Sequence, residues 1–407
     1  MKRKLLFVAL LMLATFATTA PSRAIQIPPQ AAPAPIVIPF ELVTRHIVVK
    51  VRIDNSRPLS FVFDTGDKVG IVDTRVATEL GLKLEGEVHI GGAGSGTLPG
   101  SFVKGASWTL HGLEGFSQPV TLAIPLDRLA AKSGHDFDGI IGSDFIKRFV
   151  VEVDYQKQVL RLHDRDQFSY SGPGESVPIQ LSGQGHPYIE GEVTPVGGKP
   201  IKGKFVLDLG SGGSLALLSP FVADNNLLGN GLKTIKAIGV GGAGGQSNGQ
   251  IGRIASLKIG RFNIANPLTL FSQDKSGAMA SRAGIGNIGQ QIAGKFKVFL
   301  DYNHDRIILE PNSTFAEPID RAFAGISLTT EGRDYSTVRI ADVLENSPAS
   351  EAGLQKDDVI VKIDDKPAHT LNVTRLGEMF EKPATYKLTI RRGDQTLQVT
   401  LAPRKLV

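Results

Sequence analysis

Two aspartates stand in matching contexts. Phe61-Val62-Phe63-Asp64-Thr65-Gly66 returns as Phe205-Val206-Leu207-Asp208-Leu209-Gly210, at an offset of 144. In each copy an apolar, strand-like run ends on a carboxylate, and a turn containing glycine follows. Burying a carboxylate beside apolar strands is costly unless partners or function offset it. Two carboxylates brought close cannot both ionise easily, so they share one proton. The charged member can then draw a proton from water as general base while the other protonates a carbonyl oxygen. That is hydrolytic chemistry, and it needs neither a metal nor an organic cofactor; none is expected.

Other chemistries find less support. The chain has no cysteine, which excludes disulfides, thiolate metal sites and a cysteine nucleophile. The eight histidines show no metal-ligand spacing. His135, His163 and His304 lie in turn-like contexts and read as solvated. No Ser–His–Asp triad is recognisable from sequence order. Two glycine runs, Gly91-Gly92-Ala93-Gly94-Ser95-Gly96 and Gly239-Val240-Gly241-Gly242-Ala243-Gly244-Gly245, superficially suggest a phosphate-cradling loop. Such a loop should join a strand to a long helix, and neither run does. Flexible surface loops or hinges would suit them, since glycine accepts dihedrals that other residues avoid.

The elements that position the aspartates come in two copies. Gly91-Gly92-Ala93-Gly94 returns at Gly241, offset 150. Gly139-Ile140-Ile141-Gly142 returns as Gly286-Asn287-Ile288-Gly289, and Phe149 to Tyr155 returns as Phe296 to Tyr302, both at offset 147. Four matches in one order, with small drift, define a repeated unit over residues 36–166 and 176–312. Each unit reads as β: strand runs such as His46 to Ile53 are punctuated by Gly, Pro, Asn and Asp. Short helices are expected at Asp73 to Leu80 and Pro220 to Leu227. Residues 322–407 read differently, as strands interleaved with helices at Ala349 to Gly353 and Val373 to Phe380.

Composition is that of a globular protein, with 41% apolar and 21% charged residues among 407. A net charge of +5 without a basic stripe gives no reason to expect nucleic acid as a partner. Lys2, Arg3 and Lys4 precede the apolar run Leu5 to Ala14 and then small residues, the layout of a secretory signal peptide over 1–24. The run is short for a bilayer-spanning helix, so export without a stable membrane span is expected. Residues 25–35 read as a linker rich in Pro and Ala.

Asp64-Thr65-Gly66 after Phe-Val-Phe, with Asp138-Gly139-Ile140-Ile141-Gly142 downstream and the whole arrangement duplicated, resembles the retropepsin and pepsin clan of aspartyl proteases. The resemblance implies a mainly β protein with two retropepsin-like β-barrel lobes, the acid-protease fold. It implies catalytic Asp64 and Asp208, and active-site turns comprising Thr65, Gly66, Asp67, Leu209, Gly210 and Ser211. Flaps would contain Gly91, Gly92, Gly94, Gly241, Gly242 and Gly244. Two positions depart from the family pattern. Leu209 lacks the hydroxyl that normally braces the two turns, and Asp67 adds a third carboxylate. Residues Ser347 to Leu354, Gln355 to Ile360 and Ile363 to Asp365 resemble a bacterial-type PDZ domain. Phe323, Ala324, Gly325 and Ile326 would then form its carboxylate-binding loop.

The resulting expectation is an aspartic endopeptidase acting on polypeptides, with peptide C-termini or extended segments captured by the PDZ domain. Two alternatives stay open: a peptide-binding protein with a degenerate site, for which Leu209 speaks, and a site assembled from two chains each giving Asp64. The intact repeat argues against the second.

Overall fold

The computed structural model describes residues 33–407 except 93, 95, 119, 230 and 333. The expected signal peptide, residues 25–32 of the expected linker, Ala93 and Ser95 lie outside the described residues. The order of elements is mainly strands, as expected.

The repeat is a repeat of pairings. In the first lobe the strand Leu59–Phe63 pairs antiparallel with His46–Ile53 and parallel with Gly139–Ile141, with Gly139 opposite Phe61 and Ile141 opposite Phe63. In the second lobe Ile201–Leu207 pairs with Pro187–Thr194 and Gly286–Ile288, with Gly286 opposite Phe205 and Ile288 opposite Leu207. Leu59–Phe63 is buried at every position, which explains why every residue of it but Ser60 is apolar. Burial of Phe61, Phe63 and Phe205 contributes about 1.5–3 kcal/mol each. Gly139 has to be glycine, because a Cβ there would stand 2.3 Å from both the Phe61 ring and the Ile71 carbonyl oxygen.

The lobes are joined by a shared sheet. Its strands run in the order Ile36–Pro39, Val159–Asp164, Phe149–Asp154, Phe296–Asp301, Arg306–Pro311, Glu175–Leu181. The seam is an antiparallel pair with Val151 opposite Leu300 and Val153 opposite Val298. These residues are buried in one core that runs through both lobes, so the two aspartate strands are held on a common base.

The expected helices form at Thr74–Glu79 and Ser219–Asp224. Asp73 caps the first by accepting from the Arg75 and Val76 amides, and its second oxygen accepts from Leu126 N at 2.8 Å. Asp138 is likewise structural: it accepts from Ser60 N at 2.8 Å and pairs with Arg57 at 3.1 Å.

Residues 322–407 have a separate core, including Ile340, Ile360, Leu376, Leu388 and Leu401. Their sheet runs Ile326–Glu331, Thr337–Val343, Val359–Ile363, Tyr386–Arg392, Gln395–Leu401, with helices at Pro348–Glu351 and Asn372–Phe380. Among the described residues, no helix is long and apolar enough to cross a membrane.

Candidate active site

Each aspartate leaves its strand in the same way. Asp64 N donates to Ile141 O at 3.0 Å, and Asp208 N donates to Ile288 O at 2.9 Å. Each carboxylate then accepts from its own turn: Gly66 N to Asp64 Oδ1 at 2.6 Å, Gly210 N to Asp208 Oδ1 at 2.9 Å. The turns face one another closely. A Cβ on Gly210 would fall 2.0 Å from the Asp64 carboxyl carbon, and one on Gly66 would fall 2.9 Å from Asp208 Oδ1. Only glycine permits that approach.

The two carboxyls are not equivalent. Burial pushes the Asp64 carboxyl well above the usual carboxylate range, and the charges of Asp208 and Asp67 push it further. Asn287 Nδ2 donates to Asp208 Oδ2 at 2.7 Å, a contact that favours a charged oxygen. The first-lobe residue at the same place is Ile140, which offers no donor. Asp67 is half-buried, and its carboxyl is raised to about 6, by burial first and by the Asp208 charge second. The Asp208 charge thus reaches the Asp67 carboxyl.

The brace across the turns is lopsided, as Leu209 implies. Thr65 Oγ1 donates to Leu207 O at 2.6 Å and accepts from Leu209 N at 2.8 Å. Leu209 is fully buried and returns no such bond. A different clamp acts there: Gln290 Nε2 donates to Leu209 O, and Tyr155 OH from the first lobe donates to Gln290 Oε1 at 2.5 Å. In the first lobe Ser143 takes the Gln290 position, and the buried Tyr302 hydroxyl has no partner among the described residues.

The glycine runs form hairpin tips. Lys83–Gly91 pairs with Thr97–Lys104 in one lobe and Gly241–Gly242 with Gly245–Gln246 in the other. The tips meet, with Gly96 N donating to Gly244 O at 2.8 Å, and Lys132 Nζ donates to Gly241 O at 3.3 Å.

Comparison with known proteins finds two family models in the chain. Residues 49–145 match the aspartyl protease family model, and residues 322–402 match the PDZ domain model. The chain joins an aspartyl protease domain to a C-terminal PDZ domain. It is 32% identical over 81 residues to a putative zinc metalloprotease of Clostridium perfringens (20% of this chain, 23% of that protein). It is 26% identical over 117 residues to a probable CtpA-like serine protease of Staphylococcus haemolyticus (28% and 23%). It is 32% identical over 78 residues to the periplasmic serine endoprotease DegP of Salmonella typhimurium (19% and 16%). The chain thus spans less than a quarter of each of these relatives. A crystal structure of the HtrA3 PDZ domain bound to a phage-derived ligand is 27% identical, covering 21% of this chain and 86% of that one, with a TM-score of 0.19. The family match and the protease relatives support a peptidase and leave its catalytic class unconfirmed.

In the PDZ domain, Phe323 to Ile326 form a tight loop. Phe323 N donates to Arg404 O at 2.8 Å, Ala349 N to Ala324 O at 2.9 Å, and Leu344 N to Gly325 O at 2.8 Å. Gly325 has a φ of +79° and packs on Ser347, where a Cβ would fall 2.1 Å from the hydroxyl oxygen. The strand that follows, Ile326–Glu331, ends the sheet order, and the helix Asn372–Phe380 packs beside it. An edge strand flanked by a helix is the arrangement by which PDZ domains add a peptide strand.

Three features near the site escaped the sequence reading. Asn287 was visible only as part of a strand motif, and its side chain donates to Asp208 Oδ2. Gln290 lies in no motif, and Tyr155 was visible only as the end of the repeat Phe149 to Tyr155. His46 begins the strand beside the first aspartate strand and His186 immediately precedes the one beside the second; the registers Val48↔Val62 and Tyr188↔Val206 make them counterparts, at an offset of 140. Burial lowers the proton affinity of both rings, opposed in part by the Asp208 charge. Aligning the strands preceding the aspartates would have found them.

The reading of three other histidines as solvated is corrected for His163 and His135, while His304 is exposed, as expected. His163 pairs with Glu152 at 3.0 Å and its ring lies 5.0 Å from that of Phe168. His304 pairs with Asp301 at 2.7 Å. His135 is half-buried against Phe137, with its Nε2 unpartnered among the described residues. A neighbouring carboxylate and aromatic rings, invisible in sequence order, drew in His163 and His135.

Proposed function

We propose that the chain is an aspartic endopeptidase in which Asp64 and Asp208 act together on a peptide bond. The observation that carries this is the convergence of the two turns, each glycine lying against the opposite carboxylate. The asymmetry assigns roles. Asp64 holds the shared proton, and Asp208, supported by Asn287, is the charged member. A water between them gives a proton to Asp208 as its oxygen attacks the carbonyl carbon, while Asp64 gives its proton to the carbonyl oxygen. The tetrahedral intermediate then collapses: the proton on Asp208 passes to the leaving nitrogen, and the hydroxyl proton returns to Asp64. Aspartic proteases in general work with two aspartates that share one proton, and this site has the parts for it.

The paired flap tips suit a cover over a bound chain, and the PDZ edge strand suits capture of a chain end or an extended segment. The signal-like N-terminus supports export. The alternative of a dead, purely binding site rested on Leu209; the clamp through Gln290 and Tyr155 supplies a brace in its place, so Leu209 no longer favours it.

The test is cleavage of unfolded casein by the purified chain across the acidic to neutral range. Cleavage with a profile that falls on the alkaline side is expected; none at any pH would leave the binding reading standing. Asp67 adds a signed prediction. Above about pH 6 its charge opposes ionisation of Asp64 and so retains the shared proton. Asp67→Ser removes that repulsion, so Asp64 loses its proton at lower pH. The alkaline limb of kcat/KM moves to lower pH by about one unit, while an unshifted limb would remove this role from Asp67.

A further inference from the structure

The PDZ groove does not stand open. The first-lobe helix Asp127–Ser133 touches both of its walls, the strand Ile326–Glu331 and the helix Asn372–Phe380. Thr330 Oγ1, on the strand, donates to Ala131 O at 2.7 Å. Thr374 Oγ1, on the helix, donates to Ser133 O at 3.3 Å. Gly134, which ends the first-lobe helix at a φ of +61°, lies between the walls. A Cβ there would stand 2.6 Å from Val373 Cγ1 and 3.4 Å from Thr330 Cγ2. Beyond it, Tyr335 OH donates to Asp136 Oδ1 at 2.7 Å.

From this placement we propose that residues 130–136 of the protease domain are a built-in occupant of the PDZ groove, and that an outside peptide bearing a free C-terminal carboxylate must displace them to bind. The inference rests on reading this groove as the PDZ peptide site. It also joins that site to the flaps. Lys132, on the occupying helix, holds the Gly241 carbonyl of the second flap, and Ser327, at the start of the groove strand, packs on Gly239 just before that flap. A peptide that lifts residues 130–136 therefore loosens two holds on one flap. Capture at the PDZ domain and access to the aspartates are coupled through one segment.

The cysteine-free chain permits a direct test. A Cβ at Gly134 would stand 3.4 Å from Val373 Cβ, close to the spacing a disulfide spans. The double variant Gly134→Cys/Val373→Cys is prepared in full-length protein, with folding checked by thermal unfolding in both redox states. Binding is read by fluorescence anisotropy of a labelled peptide pool with randomised final residues and free carboxylates, with the amidated pool as control. A second variant, Thr374→Val/Tyr335→Phe, removes two of the holding bonds without adding a link. The expected result is that oxidation weakens peptide binding at least tenfold, reduction restores it, and the second variant binds several-fold more tightly than the native chain. Equal binding by the oxidised and reduced forms would overturn the occupied groove while leaving the PDZ reading intact. No binding by any form, the second variant included, would overturn the peptide site and this inference with it.

Discussion

Asp64→Asn lowers kcat for peptide hydrolysis by roughly 10³-fold or more, since general acid–base contributions alone reach about 10²–10⁴. Asp64 is the raised member of the pair, held protonated by burial and by the charges of Asp208 and Asp67. An amide in its place keeps the shape and can donate to a carbonyl oxygen, but it cannot hand over a proton. Substrate binding should survive, so KM changes little. The fold should survive too, because the bond that anchors the turn runs from Asp64 N to Ile141 O and involves backbone alone. Steady-state kinetics beside a thermal melt measures both. Turnover within tenfold of the native chain would remove Asp64 from the chemistry.

Asn287→Ile is expected to have the next largest effect. The variant gives the second lobe the residue that the first has at Ile140. It deletes the 2.7 Å bond to Asp208 Oδ2, and hydrogen bonds to charged groups are worth about 1.5–3 kcal/mol. If that support is what keeps Asp208 charged and the shared proton on Asp64, kcat/KM falls by about 10- to 100-fold. Stability should not fall in parallel. Asn287 Oδ1 is buried and unpartnered among the described residues, so an apolar side chain relieves one cost while losing one bond. A loss of activity with an unchanged or higher melting temperature separates this positioning role from a structural one. Unchanged activity would show that the two aspartates are set apart by something else.

The duplicated motifs made much of this architecture legible. The offset between Asp64 and Asp208 located both turns, and the repeat of Gly139 at Gly286 located the strands that pack on them. These signals survive in sequence because they are local and steric: Gly139 must be glycine where Phe61 crosses it, and Gly210 where Asp64 faces it. What escaped depends on partners far apart in the chain. The Tyr155–Gln290–Leu209 clamp spans two lobes. Asn287 differs from Ile140 in a way that gains meaning only beside a carboxylate. The seating of Gly134 between Thr330 and Val373 could not be read from either segment, because a helix end and a groove carry no mark of each other. The solvated reading of His163 failed for the same reason, since Glu152 approaches it across a strand pair.

The central claim is that one chain supplies both members of the pair, and Asp208→Asn tests it most directly. The measurement is the turnover of unfolded casein by this variant at the native pH optimum, with a matched thermal melt to show that the second lobe is folded. The account predicts loss of roughly 10³-fold or more in a protein that melts as the native chain does. Near-native turnover would contradict it and would require a site completed by Asp64 of a second chain.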